Sequence, residues 1–97
     1  MQYFSKPRYP FIDVDLITKL LVWSKGIIDP RYDPRFVRKD LCGNWMHFDE
    51  HGQQTDLGWE IDHVFPASRG GADDIDNLQP LWWRNNRRKG DNYPWWG

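Results

Sequence analysis

The stretch from Gly58 to Asn92 holds most of the residues that could do chemistry. Asp62 and His63 stand side by side at the end of a strand-like run. An aspartate offers the hard oxygen that Mg²⁺ prefers. A histidine is the side chain best suited to take a proton near neutral pH. Further on, Asn86 precedes Arg87, Arg88 and Lys89 in a helix-like segment. There Trp82, Asn86 and Lys89 are spaced i, i+4, i+7, which puts them on one helical face. That face would carry a neutral oxygen donor and a cation one turn apart. Arg84 and Arg69 add cations able to touch phosphate. An Asp, a His, an amide and a cation cluster are the parts of metal-assisted phosphodiester cleavage. The metal would neutralise phosphate charge and the histidine would activate water. Adjacent side chains in a regular strand point to opposite faces. Asp62 and His63 can share one site only if the strand ends or distorts at the pair, near Pro66. Trp59 and Ile61 should then face the core.

Elements must position these groups. Residues 1–12 read as an extended arm with two prolines. Asp13 is suited to N-cap a helix over about 14–25, and Gly26 to stop it. Leu16, Ile17, Leu20, Leu21 and Ser24 recur at helical spacing, so this helix should pack on the core. The dipeptides Asp29-Pro30 and Asp33-Pro34 predict turns, followed by a short helix over about 34–40 that Gly43 closes. Arg31, Arg35, Arg38 and Lys39 there suit either phosphates or a solvated face balanced by Asp29, Asp33 and Asp40. Asn44 to Phe48 and Trp59 to Val64 read as two paired strands around a turn at 49–52. Phe65 to Asp74, with its Gly70-Gly71 and Asp73-Asp74, is a loop of about ten residues, long enough to suggest function. A helix from near Leu81 to about Lys89 stops at Gly90. The aromatic tail at 93–97 should pack back.

The chain has 97 residues, room for one domain. It holds 7 Trp, 5 Phe and 4 Tyr but is only 39% hydrophobic, so a few large side chains must build the core. The longest apolar stretch, Leu20 to Trp23, is far too short for a membrane span, and no signal peptide is visible. The expected location is the cytoplasm of a bacterial or phage-infected cell. The single cysteine, Cys42, excludes an internal disulfide and a multi-cysteine zinc site. Cys42, His47 and His51 have zinc-like spacing but lack a fourth ligand; a buried thiol and two exposed histidines are the simpler reading, with a minor role for His47 near phosphate as another. The net charge of −1 excludes a domain that coats nucleic acid by bulk field. Locally, though, Arg84 to Lys89 is strongly basic.

The residues Asp62-His63, Pro66, Ser68, Gly70-Gly71, Asn77-Leu78 and Asn86 to Lys89 together resemble the HNH endonuclease family. His63 to Asn77 is 14 positions and Asn77 to Asn86 is 9, the spacing of the HNH domain in CRISPR effector nucleases. The resemblance covers about residues 58–92. It implies an α+β fold: a ββα-metal motif over 44–92, a two-stranded antiparallel hairpin plus a helix, with residues 1–43 as a helical brace. By this resemblance Asp62 and Asn86 would ligate one divalent ion, Mg²⁺ first and Mn²⁺ as an alternative. His63 would be the general base. Asn77 would hold the long loop and so orient His63. Arg69, Arg84, Arg87, Arg88 and Lys89 would contact DNA. The chain departs from the family in lacking the cysteine pairs of zinc-stapled members, so no structural zinc is expected. It also has Trp82 where many relatives have His. The implied activity is metal-dependent hydrolysis of DNA with 5′-phosphate and 3′-hydroxyl ends. A monomer would nick, and a homodimer would cut both strands. Specificity would be low or would come from a larger partner protein. The rival reading is a non-catalytic nucleic-acid-binding or protein-interaction module on the same scaffold.

Overall fold

A computed structural model describes residues 14–97. The arm at 1–12 and the Asp13 cap lie outside the described residues. Helix α1 spans Val14–Trp23, ending two residues earlier than the periodicity predicts. Ser24 to Gly26 continue it only as a turn, with Gly26 N–H donating to the Trp23 carbonyl at 2.9 Å. The helix does not bury its whole expected stripe. Leu16, Ile17, Leu20 and Leu21 are each close to half exposed, while Val22 and Trp23 are buried. The last turn therefore makes the core contact. Lys25 extends it, donating from Nζ to the Ile75 and Leu78 carbonyls.

Strand β1 (Val37–Lys39) pairs antiparallel with β2 (Trp45–His47). The helix predicted over 34–40 does not form. Local propensity there is weak, and Val37 suits a strand. The deciding group is Asp40, whose Oδ1 accepts from the Cys42 and Asn44 backbone N–H groups and closes a tight turn. Gly43 completes this turn with a φ of 86°. The basic residues of this segment point to the solvated-face reading. Arg31 pairs with Asp29 and Arg35 with Asp33, while Arg38 donates to the backbone carbonyls of Pro34, Ser24 and Gly26.

Strand β3 (Trp59–His63) pairs antiparallel with β4 (Leu78–Trp82), and helix α2 (Trp83–Lys89) follows directly. This is the expected hairpin plus helix in an α+β fold, but its second strand is not the predicted one. Residues 44–48 do not pair with 59–64; residues 78–82 do, and the helix starts at Trp83 rather than near Leu81. Pro80 makes this run look like a breaker. In a two-stranded sheet each strand keeps an outer edge, where a missing N–H costs no ladder bond. Trp82 consequently lies on β4 and does not share a helical face with Asn86 and Lys89.

Val22, Trp23, Met46, Trp59 and Leu78 form the core, with Phe48, Ile61, Ile75 and Trp82 packed against it. Trp59 faces the core as predicted, with its centroid 5.0 Å from that of Trp23. The tail folds back in part. Tyr93 meets Phe65 edge-on with centroids 5.1 Å apart, whereas Trp96 is 80% exposed. A polar staple joins the 40–44 turn to the hairpin-plus-helix unit. Asp40 is only 1% exposed, and its Oδ2 accepts from the Trp82 N–H at 3.0 Å and from Asn85 Nδ2 at 2.8 Å. One buried carboxylate thus ties the 40–44 turn to the start of α2.

Candidate active site between the hairpin and helix α2

Strand alternation sorts β3 into two faces. Trp59 and Ile61 serve the core. Glu60 and Asp62, two positions apart, both meet α2. Glu60 Oε1 accepts from Asn86 Nδ2 at 2.7 Å and pairs with Arg87 Nη1 at 2.6 Å. Asp62 Oδ2 accepts from Gln79 Nε2, its cross-strand neighbour, at 2.9 Å. Asp62 Oδ1 lies 3.3 Å from Lys89 Nζ. Burial pushes the Asp62 carboxyl up from its ordinary range, and the Gln79 hydrogen bond and the Lys89 charge pull the other way. The hydrogen bond and charge of Glu60 raise the Arg87 guanidinium further.

β3 ends at Asp62-His63, one of the two ways the pair was expected to leave the strand, and it does so without distortion. The ladder runs through the pair, with His63 opposite Leu78. Asp62 therefore turns to α2, and the His63 ring turns to the long loop, where Nε2 is 2.8 Å from Asp73 Oδ1. Lys89 spans both residues, donating from Nζ to the His63 carbonyl at 2.8 Å.

Asn77 closes the loop. Its Oδ1 accepts from the Phe65 N–H at 2.8 Å, and its Nδ2 donates to the carbonyls of Phe65 at 3.1 Å and Ala72 at 2.8 Å. Its own carbonyl receives the Val64 N–H at 2.8 Å. The loop folds this tightly because Gly71 has no side chain. A Cβ there would lie 1.8 Å from the Phe65 carbonyl oxygen.

Asp62, Asn86, Glu60 and Lys89 thus gather at the β3–α2 interface, and His63 and Asn77 meet at the neighbouring loop. The predicted phosphate contacts divide. Lys89 is 1% exposed and aimed inward, so it is a buried partner rather than an exposed contact. Its long stem is covered because α2 lies directly on the hairpin. Arg87 is engaged by Glu60, and Arg88 donates to Asn85 Oδ1. Arg84 is exposed with its guanidinium over the Trp83 ring, and Arg69 is exposed with a contact to the Asp91 carbonyl. The zinc-like trio is dispersed in use. His47 Nδ1 accepts from the Asp49 N–H, His51 stacks on Trp59, and Cys42 is half-buried. Neither histidine is exposed, contrary to expectation.

Sequence reasoning missed Glu60, Gln79 and Asp73. Glu60 carried a signal, since a residue two before Asp62 on a strand shares its face. Gln79 and Asp73 carried none, because their roles depend on register and loop folding.

The donor set fits a hard divalent ion. Asp62 and Glu60 supply carboxylate oxygens. Asn86 gives its Nδ2 to Glu60, which leaves its amide oxygen as an acceptor with no hydrogen bond among the described residues. No group of three or more His, Cys, Asp or Glu with metal-binding geometry occurs among the described residues. A shell built on Asp62 and Asn86 would be completed by water and phosphate, as Mg²⁺ tolerates.

The sequence model of the HNH endonuclease family matches residues 42–92. A probable mobile endonuclease C of Enterobacteria phage T4 is 42% identical over 41 residues, covering 39% of this chain. The chain spans only 20% of that phage protein's length. No solved structure matches the chain at a significant level. With more than half of its residues matched, and with the hairpin, loop and helix arranged as described, the chain belongs to the HNH endonuclease family.

Proposed function

We propose that the protein is a metal-dependent endonuclease that hydrolyses DNA phosphodiester bonds. The observation that carries this reading is the acidic face of β3, Glu60 and Asp62, set against Asn86 of α2, with His63 ending β3 beside a loop that Asn77 holds. Asp62 and Asn86 would hold the divalent ion, with Glu60 beside them. When bound, the ion would offset charge developing on the phosphate and the leaving 3′ oxygen.

The chain's own residues do the rest. His63 takes a proton from water, whose oxygen attacks phosphorus in line with the 3′ oxygen. The P–O3′ bond breaks, leaving a 5′-phosphate and a 3′-hydroxyl. Asn77 holds the loop by its backbone hydrogen bonds and so orients His63. Lys89 fixes the Asp62 carboxylate and the His63 backbone relative to one another. The exposed cations Arg84 and Arg69, with Arg87 and Arg88 exposed on the same helix as Arg84, position the phosphate backbone, and such contacts carry no sequence information. One site cuts one strand, so a monomer nicks; double-strand cutting requires a homodimer or two visits. The setting is the interior of a bacterial or phage-infected cell, and specificity is either low or supplied by a larger protein. No helix among the described residues is long and apolar enough to cross a membrane.

Supercoiled plasmid with Mg²⁺ or Mn²⁺, with and without EDTA, tests the reading. Nicking should require the metal, and His63→Ala should lower it at least ~100-fold. Equal activity of wild type and His63→Ala would sink the assignment. A competing RNA substrate distinguishes an RNA nuclease.

A further inference from the structure

The loop between β3 and β4 does more than carry glycines. Asn77 Nδ2 pins the Ala72 carbonyl at 2.8 Å, and the next residue, Asp73, is thereby delivered to His63. Asp73 Oδ1 stands 2.8 Å from His63 Nε2, with the two side chains 55% and 17% exposed. We propose that Asp73 is a positioning residue that sets the tautomer and orientation of the His63 base. The proposal rests on the nuclease reading above and deepens it.

The physical argument starts from what a carboxylate can do. An ionised carboxylate only accepts hydrogen bonds. His63 Nε2 must therefore carry the ring proton, which leaves the basic lone pair on Nδ1. Nδ1 is then the nitrogen that receives the proton from water. The water oxygen forms the new bond to phosphorus, the 3′ oxygen departs with the bonding pair, and it takes its proton from solvent. Nε2 keeps its proton throughout, so Asp73 stays ionised. The imidazolium formed in this step gains a counter-charge at hydrogen-bond distance. An Asp behind a histidine base works in the same way in hydrolytic triads. The arrangement also gives Asn77 a route to the chemistry. By holding Ala72 it places Asp73, and Asp73 places the ring.

The test uses Asp73→Ala and Asp73→Glu in the full chain, with His63→Gln to assign the ring signals. Long-range ¹H–¹⁵N correlation spectra of the metal-free protein read the tautomer directly. Wild type should show His63 protonated at Nε2 and basic at Nδ1, and Asp73→Ala should move it to a mixture. In plasmid nicking, Asp73→Ala should lower kcat about 10–100-fold with KM changed less than ~2-fold. Asp73→Glu should restore most of the rate, and the melting temperatures of all three proteins should agree. A wild-type spectrum protonated at Nδ1 would overturn the proposal, as would wild-type kcat in Asp73→Ala. Inert wild-type protein would remove the nuclease reading, while the spectra would still decide the pairing.

Discussion

Lys89 Nζ approaches Asp62 Oδ1 to 3.3 Å where the two side chains are only 2% and 7% exposed. The same ammonium donates to the His63 carbonyl, so a single cation holds the chemistry-bearing dipeptide to α2. Removing one partner of a buried pair leaves an uncompensated charge, which costs about 3–5 kcal/mol. Lys89→Ala should therefore lower the melting temperature by more than ~10 °C in a domain of this size. Arg84→Ala should leave it within a few degrees but should weaken DNA binding and reduce the salt slope by about one. Thermal scans beside salt-dependent binding isotherms separate the two roles. Similar behaviour of the two variants would contradict the division.

Glu60 Oε1 accepts from Asn86 Nδ2 at 2.7 Å. Glu60→Gln keeps an acceptor for Asn86 but removes a charge from the acidic face. Mn²⁺ affinity, read by electron paramagnetic resonance, should fall about 10-fold. Unchanged affinity would leave Glu60 only a structural partner of Asn86 and Arg87.

Asp40 accepts four hydrogen bonds, from Cys42, Asn44, Trp82 and Asn85, at 2.8–3.0 Å. Asp40→Ala would strand these buried donors, each at about 1–3 kcal/mol if unsatisfied, with water recovering part of the loss. Urea unfolding should show a destabilisation of about 3 kcal/mol. Asp33→Ala, which removes an exposed ion pair with Arg35 and a hydrogen bond from the Arg35 N–H, should cost no more than about 1 kcal/mol.

His51 rests against Trp59, with ring centroids 4.6 Å apart. Burial, aided by the Lys19 charge, pushes its pKa down to about 4 from an ordinary 6.5. Between these values the unfolded chain binds the extra proton and the folded chain does not. Stability is therefore fully present above about pH 6.5 and is lost as pH falls toward 4. Allowing for partial exposure, the loss is on the order of 1–2 kcal/mol. Thermal melts from pH 7 to 4.5 should show this fall, and His51→Phe should flatten it. An equal slope in both proteins would assign the effect to other groups.

The sequence alone determined the chemical inventory and its order. Asp62, His63, Asn77 and Asn86 at fixed separations, the Gly70-Gly71 loop and the run from Trp59 to His63 are local features, set by residue type, spacing and turn chemistry. They were enough to indicate the family, the hairpin-plus-helix class and the hinge of the loop at Asn77. Tertiary structure decided the partners. Val37 to Lys39 becomes a strand because Asp40 closes a turn back onto Trp45 to His47, against a weak helical preference. Leu78 to Trp82 becomes the mate of β3 because the sheet has a free edge that tolerates Pro80. Lys89 turns inward, and Arg87 is spent on Glu60, because α2 lies flat on the acidic face of the hairpin. Asp73 reaches His63 only after Gly71 lets the loop pass against Phe65. Each of these depends on contacts between residues distant in the chain, and a charged side chain carries no local mark of whether it will meet water, phosphate or a buried carboxylate.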